Sequence, residues 1–137
     1  MSEMGLLGAA GAFKKNLLDL RQRRQEIITS NVANADTPGY KARRLNFEAQ
    51  LAEAMSPPPG ELALARTDGR HFPNDGFMPA TGELQEVESA ISKGDGNTVD
   101  MEQEMAQQTA NQLLYNYAAQ SLSGQISRLR MVIDGGK

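Results

Sequence analysis

The chain has 137 residues, 39% hydrophobic but only 5% aromatic and without tryptophan, so its length suits one domain while its side chains offer little bulk for a core. It has no cysteine, which excludes a disulfide framework, a thiolate metal site and a cysteine nucleophile. The net charge of −3 divides into eight Lys and Arg against five Asp and Glu over residues 1–50, and six against twelve over residues 51–137. Such polarity favours association, within a chain or between chains, and leaves no broad basic face for nucleic acid.

The apolar stretch Leu6 to Phe13 is too short to span a bilayer. No basic region precedes it, and Glu3 stands where a secretory signal would carry Lys or Arg. A role outside the cytoplasm would need a route that reads no such signal. Steps of three and four from Leu6 give Ala10, Phe13, Leu17, Leu20, Arg24, Ile27, Asn31 and Asn34, a helical stripe that shifts near its end to Ile28, Val32 and Ala35. Asp36-Thr37-Pro38-Gly39 closes the segment, because proline disfavours helix at Thr37 and Pro-Gly suits the centre of a type II turn.

Residues 55–98 read differently. Five of the six prolines, Pro57, Pro58, Pro59, Pro73 and Pro79, lie there with Gly60, Gly69, Gly76 and Gly82, so no long helix crosses the segment. Glu61 to Ala65 alternates weakly as a short strand, and Asp95-Gly96-Asn97 reads as a turn. A small irregular or partly β insertion is expected.

The second stripe runs from Met101 through Met105, Gln108, Gln112, Tyr115, Ala119, Leu122, Ile126, Leu129 and Ile133. Asp100 suits its N-cap, with Gln103 placed for a capping box, and Arg128, Arg130, Gly135 and Gly136 suit its end. Each helix would extend about 40–50 Å. The expected fold is mainly α, with long N- and C-terminal helices packed as a coiled-coil-like pair around the insertion. Two such helices bury one stripe each, so Leu113, Leu114 and Val132 need another surface.

Chemistry is sparse. His71 is the single histidine, so no histidine pair holds a metal and a hydrolytic triad would have only that base. Glycine-rich Gly94 to Asp100 fails as an EF-hand, since Asp100 and Ala106 stand where Gly and Glu are required. No phosphate-binding glycine loop is present. Glu83, Glu86 and Glu88 lie in a polar run without aromatics to hold a sugar, and Arg21-Gln22-Arg23-Arg24 reads as a solvated helix face, although Arg24 falls on the seam. Neither an enzyme nor a cofactor is expected.

The most specific string follows the first helix: Ser30-Asn31-Val32-Ala33-Asn34-Ala35-Asp36-Thr37-Pro38-Gly39-Tyr40-Lys41. Two asparagines about one turn apart are placed to bond exposed backbone at a helix end or on a neighbouring chain, and Tyr40 to anchor the exit. The string resembles the signature of bacterial flagellar rod and hook proteins, with Ser30, Asn31, Ala33, Asn34, Thr37, Gly39 and Tyr40 at the signature positions and Pro38 between them. Lys41 to Glu48, Gly96 to Met105 and Asn111 to Tyr115 are similar to the proximal rod subunits of that family.

The resemblance implies a structural subunit stacking helically into a hollow, torque-transmitting rod in the periplasmic space and required for motility. It implies terminal helices, 1–36 and 99–134, that form the inner rod layer and order on assembly, with the signature segment 37–54 and the insertion 55–98 between them. Phe13, Leu17, Leu20 and Ile27 would pack with Met101, Met105, Tyr115, Leu122, Ile126, Leu129 and Ile133. The implied partners are further copies, the rod proteins FliE, FlgC, FlgF and FlgG, and the flagellar type III export apparatus. Export would then need no cleaved signal peptide, with Phe13 and Leu17 as its signal. The competing reading is an export adaptor or chaperone-like helical hairpin that never enters a filament.

Overall fold

The computed structural model describes residues 4–55, 79–88 and 94–135. Within them the chain is mainly helical: α1 (Met4–Ala33), β1 (Arg43–Asn46), α2 (Glu48–Met55), β2 (Glu83–Glu86) and α3 (Met101–Ile133). α1 bends at Gly8, whose φ of 63° and ψ of −172° interrupt the helix. Tyr40 N donates to Thr37 O at 3.3 Å with Gly39 at φ 72°, the type II turn that Pro38-Gly39 specifies.

β1 and β2 pair antiparallel with Arg43 opposite Glu86 and Asn46 opposite Glu83, and Val87 N to Ala42 O at 2.8 Å extends the ribbon. The acidic run thus forms a strand although all four of its residues are exposed, because pairing with β1 supplies what its own composition does not. The strand expected at Glu61 to Ala65, like His71, lies outside the described residues.

The scarcity of aromatics leaves two small cores. Leu20, Leu45, Phe47 and Ala80 form one, flanked by Leu17, Ile27 and Leu51; Ala35, Ala42 and Val99 form the other, with Tyr40 and Val87 against it. Arg24 lies over the Phe47 ring at 4.0 Å, so part of the first core is roofed by a cation rather than by apolar bulk. Gly82 packs so tightly there that a Cβ would stand 2.9 Å from Leu45 Cδ1, at a φ of 73°.

α3 starts where expected: Asp100 accepts from Glu102 N at 3.1 Å and Gln103 N at 3.2 Å. Gln103 Oε1, placed for the returning bond of a capping box, instead accepts from Arg44 Nη2. Contacts of Lys14 with Ser121 and Gln125, Arg21 with Asn111, and Asn31 with Glu104 show that α3 runs antiparallel to α1. The buried residues of α3 are Glu104, Asn111 and Ala118, one position before Met105, Gln112 and Ala119 of the hydrophobic stripe. Met101, Met105, Ile126 and Ile133 are exposed, while Tyr115, Leu122 and Leu129 are half-buried. The physical reason is that α1 offers α3 polar side chains, and complementary polar groups set the rotation of the helix.

Arg24 grips Glu48 at 2.6 and 2.8 Å, and this hydrogen bonding, opposed by desolvation, holds the carboxyl down to about 2 from an ordinary 4.5. A folded-state pKa below the unfolded one adds stability that is complete above pH 4.5 and fades as pH falls towards 2. Solvent screens the contribution, since the Glu48 side chain is 59% exposed. Urea titrations across that window should find the stability of Glu48→Gln flatter with pH than that of the parent chain; identical slopes would remove the role assigned to the pair.

Candidate assembly junction and surface

The end of α1, the turn after it and the approach to α3 form one polar knot. Asn31 is fully buried and uses all its hydrogen-bonding capacity. Its Nδ2 donates to Arg43 O at 2.8 Å and Glu104 Oε2 at 3.1 Å; its Oδ1 accepts from Arg43 N at 3.0 Å and Tyr40 OH at 3.4 Å. The carboxamide therefore pairs with the Arg43 backbone as a neighbouring strand would. Ser30 Oγ meets the Tyr40 hydroxyl at 3.2 Å. Asn34 Nδ2 donates to Ser30 O at 2.8 Å, and its Oδ1 accepts from Thr37 Oγ1 at 3.2 Å, completing the helix exit.

Asn97 locks the turn from the other side. Its Nδ2 is shared among the carbonyls of Asn34, Ala35 and Thr37 at 2.8–3.0 Å, while its Oδ1 accepts from Val99 N. Gly39 N to Asp95 O and Thr98 N to Tyr40 O add backbone bonds across the junction. The signature thus brings Ser30, Asn31, Asn34 and Tyr40 together and leaves Ala33, Thr37, Pro38 and Gly39 exposed. Asn16, which the sequence reading passed over, clasps Ala80 as Asn31 clasps Arg43, with two bonds of 3.0 Å. Its signal was faint: a lone carboxamide beside Leu17.

Between α1, β1 and α3 lies a cleft of about 270 Å³ lined by Arg21, Arg24, Arg43 and Arg44, with Glu48 its only acidic residue. Arg21 is 8% exposed; burial and the nearby Arg24 lower its pKa, partly opposed by Glu48. Arg21 Nε and Arg44 Nε are buried without a hydrogen-bond partner. Such orphaned donors cost about 1–3 kcal/mol each.

The far side of α3 has the opposite character. Leu113, Tyr117 and Met131 are 69%, 74% and 62% exposed, across the helix from Asn111 and Ala118. From Met105 to Ser127 no residue is charged. A helix facing water normally carries charge on its open face, so this surface has the composition of one that is covered. Phe13 and Leu17 on α1 are half-buried.

Residues 18–41, which span the C-terminal half of α1 and the signature turn, match the family described as Flagella basal body rod protein. Along most of its length the chain is similar to proteins called Flagellar basal body rod protein FlgB. That of Escherichia coli (strain K12) is 40% identical over 133 residues, covering 95% of this chain and 96% of the other. That of Salmonella typhimurium (strain LT2) is 40% identical over 134 residues, with the same coverage. That of Cereibacter sphaeroides is 40% identical over 118 residues, covering 86% and 88%.

The knot makes a sharp prediction. Asn31→Asp removes the donor to Arg43 O and sets a second carboxylate against Glu104, so urea unfolding at pH 7 should show a loss of about 2 kcal/mol or more. Protonation relieves the repulsion, so part of the loss should return near pH 4. A loss equal at both pH values would contradict the placement of Asn31 against Glu104.

Proposed function

Since this chain belongs to the FlgB family of flagellar basal body rod proteins, we propose that it is a structural subunit of the proximal rod that assembles helically through its terminal helices. The observation that carries this reading is α3, a long helix with an uncharged stretch from Met105 to Ser127 and a row of exposed apolar side chains. Neighbouring subunits cover that row in the rod, and the burial completed there is the free energy that orders the ends.

In this reading residues 1–36 and 99–134 form the inner layer, and 37–54 fix the junction. The stripe residues Met101, Met105, Ile126 and Ile133, exposed in the single chain, meet neighbours, while Leu20 packs within the subunit. The partners are further copies, FliE, FlgC, FlgF and FlgG, and the type III export apparatus that delivers the chain to the periplasmic rod without a cleaved signal peptide. Phe13 and Leu17 serve as export signal first and as packing residues after assembly. The role is structural, as the names of the relatives support. An export adaptor is not favoured, because the relatives are named as rod proteins over nearly their whole length.

Leu113→Asp and Tyr117→Asp alter side chains that make little contact in the single chain. Helix content of the purified variants should match the parent by circular dichroism, while motility in soft agar falls sharply and the chain is lost from isolated basal bodies. Full motility with normal incorporation of both variants would contradict the proposal.

A further inference from the structure

We propose that Ser123-Gly124 is a hinge in α3, about which its last turns, residues 125–133, swing against the rest of the helix as the chain enters the rod. The hinge rests on the rod reading and adds to it a place where the subunit changes shape. Gly124 is unlike Gly8, Gly39 and Gly82, each of which takes a positive φ that a side chain would resist. Its backbone is helical, and a Cβ built on it would meet no side chain or neighbouring element within 4 Å. Neither conformation nor packing within the subunit calls for glycine there, and glycine inside a helix weakens it relative to alanine. Paired with a serine, it is a sequence at which helices bend without a proline.

The surroundings divide α3 at the same place. Glu104, Asn111 and Ala118, its buried residues, all precede Gly124, whereas Met131, Val132 and Ile133 beyond it are exposed. Lys14 fastens α3 to α1 at the hinge itself, through Ser121 O at 3.4 Å and Gln125 Oε1 at 3.1 Å. α1 breaks at Gly8, toward the same end of the antiparallel pair. Two carbonyls of the hinge turn accept from side chains, Ser121 O from Lys14 Nζ and Gly124 O from Arg128 Nε at 3.2 Å. These donors keep the carbonyls partnered when the helical ladder opens, which lowers the cost of bending. In the single chain α3 runs as one helix from Met101 to Ile133, so the hinge is straight before assembly. Neighbours that cover the apolar residues of the last turns supply the free energy that bends it.

Gly124→Ala is the direct test, because the space around the added methyl group is open in the single chain. In the purified full-length chain it should raise the folded-to-unfolded ratio about threefold to fivefold in urea titrations. Motility in soft agar, and the chain recovered in isolated basal bodies, should nevertheless be largely lost. Ser123→Gly combined with Gly124→Ala moves the glycine by one exposed position and should restore most of both, since it returns the flexibility while keeping the added methyl group. Normal motility and incorporation of Gly124→Ala would overturn the hinge. So would a loss that moving the glycine does not repair, because a neighbour packed on the bare Gly124 Cα gives that result. Where the parent chain is present in basal bodies and Gly124→Ala matches it, the hinge alone fails; where the parent chain is itself absent from them, the rod reading fails and the hinge with it.

Discussion

The carboxamide of Asn31 completes the inner edge of β1. By pairing with both the N–H and the C=O of Arg43 it supplies the bonds of a missing strand, and its remaining capacity reaches Tyr40 and Glu104. Arg24 repeats the device at Leu45 O, and Asn16 repeats it at Ala80. A chain with few aromatic side chains thereby hangs an irregular ribbon on one helix through directional polar bonds, with two small apolar clusters filling the space between. Asn31 is fully buried and so is stabilising only because its partners are in place, which couples the parts of the junction.

The same economy governs α3. Its seam with α1 is built from Glu104, Asn111 and Ala118 and from Lys14 reaching Gln125, and it buries no large apolar side chain of α3. Polar complementarity fixes the angle of the helix about its axis, which leaves Met105, Leu113, Tyr117 and Met131 exposed. Local stability is therefore concentrated around α1 and the ribbon, and in the proposed rod α3 reaches its full burial against neighbours. In the proposed rod this division links sequence to function: polar groups of α3 meet α1 within the subunit, and its exposed apolar groups meet neighbours.

Much of this was legible in the residues themselves. Periodicity located both helices, Pro38-Gly39 specified the turn, and Asp100 marked the start of α3, because each acts through local geometry. The row of α3 that meets α1 was not legible. A period shows that a helix has an apolar face but not whether its partner within the chain is polar, and Glu104, beside Met105, is the residue that meets α1. The polar interruptions of the first stripe held the missing information. Arg24 and Asn31 fall on the seam because they bond the backbone of β1, a target far away in sequence. β2 escaped notice for a similar reason: its four residues are acidic or polar apart from Leu84, and only the register with β1 makes them a strand.

A helical reconstruction of isolated basal bodies would test the central claim most directly, namely that the chain is a rod subunit whose outward α3 row is covered by its neighbours. Density for this chain is expected in the rod, with α1 and α3 antiparallel, Asn31 clasping Arg43, and Leu113 and Tyr117 against an adjacent subunit. Absence of the chain from the rod, or its presence there with that row open to solvent, would contradict the account.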